Sequence, residues 1–458
     1  MSGDETGAGR GGKATLPLWM SETAREQLLQ TGEQSSAASS SDALSGRAGG
    51  LMSTATSSNK SLSAQKNGVV DGHSTAGPQQ LTGFDWFRSL GSPRKIVAPM
   101  VDQSELAYRQ LTRKYGADLV YTQMFNSNVF ARDETYRREN FQSCAGDRPL
   151  IVQFCGNDPE TLLAAAKMVE NDCDAVDINL GCPQGIARRG RYGAFLMEEL
   201  DLLRTLVSTL AKGLKIPVTC KTRIYKDFDR SLKLCETLVD AGASLLTIHG
   251  RTREEKGQYV KEADWETIRK LKAHFSTRQG KRVPIVANGG IECFDDIQRC
   301  ITFTGVDAVM SSEAILENPG LFSGQPSNQI DLTNEYLEEC RKHLVPHYRT
   351  VRSHLQKMLF RYCTKHTDIR DRINVARTLP EFQEIVDSCS LLLRESEKAS
   401  VNYDMETWYA RHRNPTLMHS GRVASSALNT ARGGLIYQGQ DQTSEDDGIG
   451  LGDIFGRF

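Results

Sequence analysis

The chain has 458 residues, a length that allows one large domain and a smaller one. Its formal net charge is -1, so any nucleic-acid-binding surface must be a local patch. The 11 cysteines are odd in number and include no Cys-x-x-Cys pair, which argues against a zinc ribbon and a disulfide scaffold and favours a reducing compartment. No stretch approaches ~18 consecutive apolar residues, so we expect no membrane span and no membrane partner. Since the cysteines do not show the spacing of a zinc site, we also expect no bound metal.

The first 80 residues are rich in Ser, Gly, Ala and Thr. Such a composition cannot bury enough apolar surface to offset chain entropy, so residues 1–80 are predicted to be a disordered, low-complexity tail. This tail carries Asp4 and Glu5 and lacks an apolar segment, which fits neither a secretory signal nor a transit peptide. We therefore expect the protein in the cytoplasm, the nucleus or both, rather than in mitochondria.

Short β-rich runs, each followed by a helical stretch, recur from Lys95 onward. Eight runs are predicted as strands: 95–99, 118–124, 150–156, 175–181, 217–224, 245–251, 284–290 and 308–314. Several intervening helices end at a glycine, as at Gly116, Gly242 and Gly305, which suits a left-handed C-terminal cap. Eight strand-and-helix units are typical of an α/β protein of the (β/α)8 TIM barrel type, placed at residues 93–325. A doubly wound open sheet is the rival, and the lack of a Gly-rich dinucleotide loop after the first strand disfavours it.

The strand pattern stops after residue 325, and residues 331–400 are predicted to form a small all-helical domain. Helical spacing of five apolar residues indicates one buried face: Leu344, Tyr348, Leu355, Leu359 and Tyr362. Residues 412–458 return to Gly, Ser and Asp, so they are predicted to be a second disordered tail.

Polar residues cluster where the predicted strands end, which is the edge at which barrel enzymes carry their chemistry. Lys221 and Arg223 are two apart on the fifth strand, so both side chains point to one face. Two cations in a barrel mouth need anionic or hydrogen-bonding partners, such as a phosphate or an electron-rich ring. The Asn288-Gly289-Gly290 turn after the seventh strand lets backbone amides approach a ligand closely, at the usual phosphate position of this fold.

Cys182 differs from the other cysteines because it follows the fourth strand and precedes Pro183, on a loop rather than within a packed run. An unperturbed thiol has a pKa of about 8.5 and is therefore mostly protonated at neutral pH. In a barrel mouth a protonated thiol can act as a general acid, and a thiolate can act as a nucleophile. The residues alone do not choose between these two roles.

Six segments form a specific combination along the barrel region. They are "APMVDQSELAYRQL", "VQFCGNDPETL", "DINLGCPQGIARRGRYGAFLME", "KTRI", "IHGRTREEKGQY" and "VANGGI". Together they resemble the tRNA dihydrouridine synthases over roughly residues 93–400, and most of all the eukaryotic subgroup that acts on two adjacent D-loop uridines. The resemblance implies an FMN enzyme that reduces the C5–C6 double bond of uridine in tRNA at positions 16 and 17, with NADPH or NADH as the reductant.

The resemblance also implies roles for the motif residues, with Cys182 as the acid that protonates C5 of the uracil. The expected cofactor contacts are Pro99, Met100, Val101, Gln153, Lys221 and His249 around the flavin and its ribityl chain, and Asn288, Gly289, Gly290, Ser312 and Glu313 around the phosphate. The residues expected near the substrate are Asn179, Arg223 and Arg251. Many family members carry Gly-Arg where this chain has Ser312-Glu313, so only backbone contacts are expected from that pair.

The helical region is expected to bind tRNA, since that is its role in the family. Between Arg341 and Arg377 the chain has ten Lys or Arg residues and two acids, which suits contacts to phosphates. The loop after the cysteine adds three more arginines: Arg188, Arg189 and Arg191. We expect the protein to act as a monomer.

Two alternatives stay open on the sequence. A small-molecule FMN barrel oxidoreductase, of the dihydropyrimidine or dihydroorotate type, shares the fold and the flavin but has no need for a basic helical domain. A tRNA-binding protein that has lost catalysis has no need to keep Cys182, Lys221 and His249 together.

Overall fold

The computed structural model describes residues 80–398, apart from 279–281 and 326. The two predicted tails, 1–80 and 412–458, lie outside the described residues but for Gln80. Within the described part of the chain, no helix is long and apolar enough to cross a bilayer.

Eight parallel strands close into a barrel in sequence order, which confirms the (β/α)8 prediction. The strands are β1 (Lys95–Val97), β2 (Leu119–Asn126), β3 (Leu150–Cys155), β4 (Ala175–Leu180), β5 (Val218–Arg223), β6 (Leu246–His249), β7 (Ile285–Asn288) and β8 (Ala308–Ser311). All except β2 end earlier than predicted, because the chain leaves the extended ladder before the residues that form the barrel mouth. Gly289 and Gly290, for example, have φ angles of 100° and 75°, far from the negative φ of a regular strand.

Eleven described helices accompany the barrel. They are α1 (Gly83–Ser89), α2 (Leu106–Lys114), α3 (Ser127–Arg132), α4 (Glu134–Asn140), α5 (Pro159–Lys167), α6 (Gly185–Arg189), α7 (Leu200–Gly213), α8 (Phe228–Asp240), α9 (Trp265–Thr277), α10 (Phe294–Thr304) and α11 (Glu313–Glu317). Helix α10 ends at Gly305 with φ 71°, which confirms the predicted left-handed cap.

The barrel interior changes from apolar to polar along the strands. At the amino ends of the strands, residues such as Ile96 and Ile151 pack with Trp86 and Phe87 of α1, which close that end of the barrel. A layer of buried polar side chains follows above it: Gln153, Asp177, Thr219 and Thr247. Alternate residues of each strand face the surrounding helices and form the larger apolar core. The carboxyl ends of the strands therefore form a polar mouth.

Five further helices form the predicted helical region. They are α12 (Gln329–Lys342), α13 (Tyr348–Met358), α14 (Phe360–Lys365), α15 (Thr367–Val375) and α16 (Leu379–Lys398). Leu355, Leu359 and Tyr362 are buried as predicted. The prediction was wrong for Leu344 and Tyr348, which are 55% and 37% exposed. Leu344 precedes α13 and Tyr348 is its first residue. The proline between them, at position 346, interrupts the helical spacing on which the prediction rests.

The helical region packs against α2 and α11, at the rim of the barrel mouth. The ring of Tyr108 stacks on His354 with centroids 4.2 Å apart, and its hydroxyl donates to the Ile315 carbonyl at 2.5 Å. Glu105 accepts a 2.7 Å hydrogen bond from the Tyr336 hydroxyl, and its other oxygen is 3.1 Å from His354 Nε2. Helix α13 is thereby held beside the loop that follows β1.

Candidate active site

The loop that carries the cysteine is held by contacts from three neighbouring strand ends. Asn179 Oδ1 accepts hydrogen bonds from the backbone N–H of Gly181 at 3.1 Å and of Cys182 at 2.9 Å. Arg223 at the end of β5 donates from Nε to the Gly181 carbonyl at 2.8 Å. Lys256, in the loop after β6, donates to the Pro183 carbonyl at 2.8 Å. The backbone on both sides of the thiol is therefore fixed in the barrel mouth.

A glycine supports this loop from the other side. Gly193 has φ 65°, and a Cβ atom added to it would lie 2.7 Å from the Cys182 carbonyl oxygen and 3.0 Å from the Cys182 Cβ. The next residue, Ala194, donates its backbone N–H to the Cys182 carbonyl at 3.0 Å. Any side chain at position 193 would therefore displace the cysteine.

The environment of Cys182 favours the protonated thiol. The residue is partly buried against an apolar cluster of Met124, Cys155, Ala187 and Tyr192, which Val101 and Phe195 also contact. Burial raises the pKa of Cys182 above that of an ordinary thiol, although Arg223 and Lys221 act to lower it. At neutral pH the sulfur therefore keeps its proton, which suits a general acid better than a nucleophile.

The two predicted cations of β5 both lie in the mouth. Lys221 is 9% exposed, and burial together with the nearby Arg223 lowers its pKa to about 8. Burial, followed by the charge of Arg251, lowers the pKa of Arg223 to about 10. Both groups are charged at neutral pH, but at a cost in solvation that an anionic or electron-rich ligand would offset.

The two residues predicted at the end of β6 contact one another. Arg251 Nη1 lies 3.3 Å from His249 Nε2, and since a guanidinium can only donate, Nε2 is the acceptor. Burial and the neighbouring cations hold the pKa of His249 well below the ordinary value. The imidazole is therefore neutral and carries its proton on Nδ1. Arg251 is further fixed by a 2.5 Å bond from Nε to the Lys261 carbonyl.

The predicted glycine turn is built as a compact cradle. Asn288 Nδ2 donates to the Met310 carbonyl at 3.0 Å, and Trp265 Nε1 donates to the Gly289 carbonyl at 2.9 Å. A Cβ atom at Gly290 would lie 3.2 Å from Trp265 Nε1, so a side chain there would crowd the indole. A cavity of about 60 Å³ adjoins this turn, and its lining includes His249, Arg251, Gly289, Gly290, Ser312 and Glu313. A larger cavity of about 930 Å³ lies against α10 and contains none of the predicted site residues.

The residues after β1 form a turn two strands away from the glycine turn, with β8 between the two strands. Pro99, Met100 and Val101 are half-buried, and the Met100 N–H donates to Ser104 Oγ at 2.9 Å. Asp102, the next residue, has φ 59°, and its carboxylate lies 3.5 Å from Arg349 of α13. The predicted flavin-lining residues therefore lie where the helical region meets the barrel.

Gln153 is hydrogen-bonded within the protein. The side chain is fully buried, with Nε2 donating to Asp177 at 2.8 Å and Oε1 accepting from Asn179 at 2.8 Å. Its contact with a flavin stays a prediction, since the amide is already engaged at both ends by protein groups.

Sequence reasoning assigned no role to three residues that shape the site. Asp177 has a signal, because it is two residues before Asn179 on one strand and so shares its inward face. Gly193 could be suspected only from the general tendency of glycine to permit close approach. Lys256 has no signal, since its partner Pro183 is 73 residues away in the chain. Among the described residues, no group of three or more His, Cys, Asp or Glu is placed to hold a metal ion.

Comparison with known proteins shows which family this sequence is similar to. A family model described as "Dihydrouridine synthase (Dus)" matches residues 96–402. The chain is 49% identical over 325 residues to tRNA-dihydrouridine(16/17) synthase of Saccharomyces cerevisiae, whose name also specifies NAD(P)(+), covering 67% of this chain and 76% of that protein. It is 45% identical over 319 residues to a rat protein named as like that enzyme, with 69% and 71% covered, and 41% identical over 346 residues to the Schizosaccharomyces pombe enzyme, with 72% and 86% covered. The chain belongs to the dihydrouridine synthase family.

Proposed function

We propose that the protein reduces the C5–C6 double bond of uridine to 5,6-dihydrouridine in the D-loop of tRNA, at positions 16 and 17. FMN is the proposed bound cofactor, and NADPH or NADH the reductant. The proposal rests on one observation above all: a protonated thiol, two buried cations and a glycine turn meet at one barrel mouth in a member of this family. The relatives that are 41–49% identical are named for this reaction.

The residues around the mouth fit a flavin mononucleotide. The backbone of Asn288, Gly289 and Gly290 would hold the phosphate, because the two glycines leave main-chain atoms accessible and the Asn288 side chain is engaged by the Met310 carbonyl. Neutral His249 can donate from Nδ1, and Lys221 can donate to a ring carbonyl or nitrogen and favour negative charge there. Pro99, Met100 and Val101 would line the ring on the side of the helical region.

Ser312 and Glu313 stand where many family members carry Gly-Arg, and the negative charge of Glu313 is balanced by nearby cations. Glu313 begins α11 beside the glycine turn. Burial lowers the pKa of both Arg251 and Lys357, and the negative charge of Glu313 opposes that shift in each. The acid therefore lies between cations from the barrel and from α13. Only the backbone at positions 312 and 313 is proposed to contact the phosphate.

The reaction assigns a proton transfer to Cys182. When bound and reduced, FMN supplies a hydride to C6 of the uracil. Negative charge then develops over C5 and O4, and the Sγ–H of Cys182 would deliver its proton to C5. The cationic groups of Lys221 and Arg223 face the same mouth and would stabilise that charge before the proton arrives. Since Arg223 Nε and Nη1 already donate to backbone carbonyls, Nη2 is the nitrogen proposed to face the ring.

A uridine inside folded tRNA must leave its stack to reach this mouth, so the rest of the tRNA needs its own surface. The basic residues of α13 divide into two groups. Arg349 and Lys357 lie toward the mouth, near Asp102 and Glu313. Arg352 instead points inward and donates to the carbonyls of Ile373 and Ala376, at 3.2 and 3.0 Å. We therefore propose that the first group contacts tRNA phosphates, a role that a small-molecule oxidoreductase would not require.

The test is dihydrouridine formation on a defined tRNA. Purified protein with its flavin is incubated with NADPH or NADH and an unmodified tRNA transcript, and dihydrouridine is mapped by mass spectrometry. A second transcript with cytidine at positions 16 and 17 is the control for position. Product confined to the first transcript supports the proposal, whereas reduction of free uracil or oxidation of dihydroorotate at comparable rates would favour the small-molecule alternative.

We also propose that the protein acts as a monomer and works in the cytoplasm or nucleus. Light scattering of the purified protein tests the first point, and fractionation of cells that express the full-length chain tests the second.

A further inference from the structure

A line of buried hydrogen bonds runs from the centre of the barrel to the cysteine loop. Asp177 accepts from Thr219 Oγ1 at 2.6 Å and from Gln153 Nε2 at 2.8 Å. Gln153 Oε1 accepts from Asn179 Nδ2 at 2.8 Å, and Asn179 Oδ1 accepts from the loop N–H groups described above. Asp177 and Gln153 are fully buried, and Asn179 is 9% exposed.

This line has only one consistent direction while Asp177 is ionised. A carboxylate has no proton to donate, so the amide of Gln153 must turn its NH2 group toward Asp177 and its oxygen toward Asn179. Asn179 must then turn its own NH2 group toward Gln153, which leaves its oxygen for the N–H groups of Gly181 and Cys182. If one amide flipped, donor would face donor and acceptor would face acceptor within the buried line.

We propose that Asp177 is a positioning residue for the thiol: by accepting from Gln153 it sets the direction of both amides, and it thereby anchors the first turn of the cysteine loop. The inference rests on the proposed function, because it concerns how Sγ of Cys182 is held for proton transfer.

The charge state of Asp177 agrees with this role. Burial raises its pKa to about 6, against the hydrogen bonds from Thr219 and Gln153 and the charge of Lys221, which lower it. The group is therefore a carboxylate at neutral pH. If these polar residues only packed the barrel interior, the orientation of the Gln153 and Asn179 amides would not affect the cysteine loop. The test must therefore reverse that orientation.

The chain offers a direct reversal. In Asn179→Asp the new carboxylate still accepts from the loop N–H groups, but Gln153 then lies between two carboxylates and its NH2 group can donate to only one of them. Adding Asp177→Asn supplies an amide that can donate to Gln153 Oε1, so Gln153 can flip and donate toward position 179. The double variant thus keeps every hydrogen bond with the direction of the line reversed and the total charge unchanged.

The measurement is hydrogen exchange of the loop amides in flavin-loaded protein without tRNA, followed by mass spectrometry of a peptide spanning 179–184. A peptide spanning the glycine turn at 285–290 is the internal control. Asn179→Asp is expected to speed loop exchange by about tenfold, the factor produced by one unsatisfied buried hydrogen bond, and the double variant to restore most of the protection. The kcat for dihydrouridine formation is expected to fall and recover in parallel.

The matched control is Asp177→Leu in the Asn179→Asp background, which removes the like charge but supplies no donor to Gln153. Equal recovery with leucine and with asparagine would show that charge repulsion alone loosened the loop, and this would overturn the proposal. An unchanged loop in Asn179→Asp would overturn it as well. If Asn179→Asp does not fold, the single variants decide: Asp177→Leu must loosen the loop and Asp177→Asn must not. Wild-type protein is assayed for dihydrouridine formation in the same experiments. If the wild type is active, a negative result from the variants contradicts this inference and leaves the proposed function intact.

Discussion

Replacing Lys221 with methionine is expected to stabilise the flavin-free protein while removing its hold on the cofactor. The burial that lowers the pKa of Lys221 from 10.5 to about 8 corresponds to about 3 kcal/mol of stability lost by the charged form. Because the folded-state pKa lies below the unfolded value, this penalty is fully present below pH 8 and disappears as the pH rises from 8 to 10.5. Lys221→Met, which buries a similar volume without charge, is therefore expected to gain up to about 3 kcal/mol at pH 7.

The assay is urea unfolding of flavin-free wild type and Lys221→Met at pH 7 and again near pH 10, with flavin content measured separately. The advantage of the variant should shrink as the pH rises, and its bound FMN should be lost. Lys212→Met, on the exposed side of α7, is the matched control and should change stability by less than about 0.5 kcal/mol. A variant that is less stable than wild type at pH 7, or that keeps its flavin, would refute the reasoning.

Three further predictions test separate parts of the site by substitution. Cys182→Ala should keep flavin and tRNA binding and slow dihydrouridine formation by roughly 10²-fold or more, since a general acid contributes that much; full activity would remove the thiol from the mechanism. Gly193→Ala should cost about 1–2 kcal/mol through its positive φ and slow the reaction by displacing the cysteine loop, with flavin content as the control; unchanged kinetics would contradict the proposed support. Arg349→Glu with Lys357→Glu should weaken tRNA binding and flatten its salt dependence, whereas Arg352→Glu should mainly lower the melting temperature; the opposite division would reverse the assignment of these cations.

The sequence carries enough periodicity to predict the barrel and the face that each strand turns inward. Lys221 and Arg223 are predicted to share one face because strand side chains alternate, and in the structure both lie in the mouth. The turn after β7 is predictable because two successive glycines follow the strand, and glycine readily adopts the positive φ angles found there.

The remaining features depend on contacts between segments that are far apart in the chain. Arg349 and Arg352 are three residues apart on α13, yet one reaches the carboxylate of Asp102 and the other the last carbonyls of α15. A count of charges along the helix cannot distinguish the roles of these two arginines, because each role depends on which segment of the chain packs against that face of α13. Gln153 is a second example. Its inward direction is predictable from the strand period, but its buried hydrogen bond to Asp177 is not.

The central claim is that a flavin in the barrel mouth and the thiol of Cys182 act together on a uridine of tRNA. Its most direct test is a single-turnover experiment in which the flavin of purified protein is reduced with NADPH, excess reductant is removed, and unmodified tRNA is added without oxygen. Reoxidation of the flavin with about one dihydrouridine formed per flavin is the expected result, with Cys182→Ala much slower. Protein that binds no flavin, or a reduced flavin that tRNA fails to reoxidise, would contradict the account.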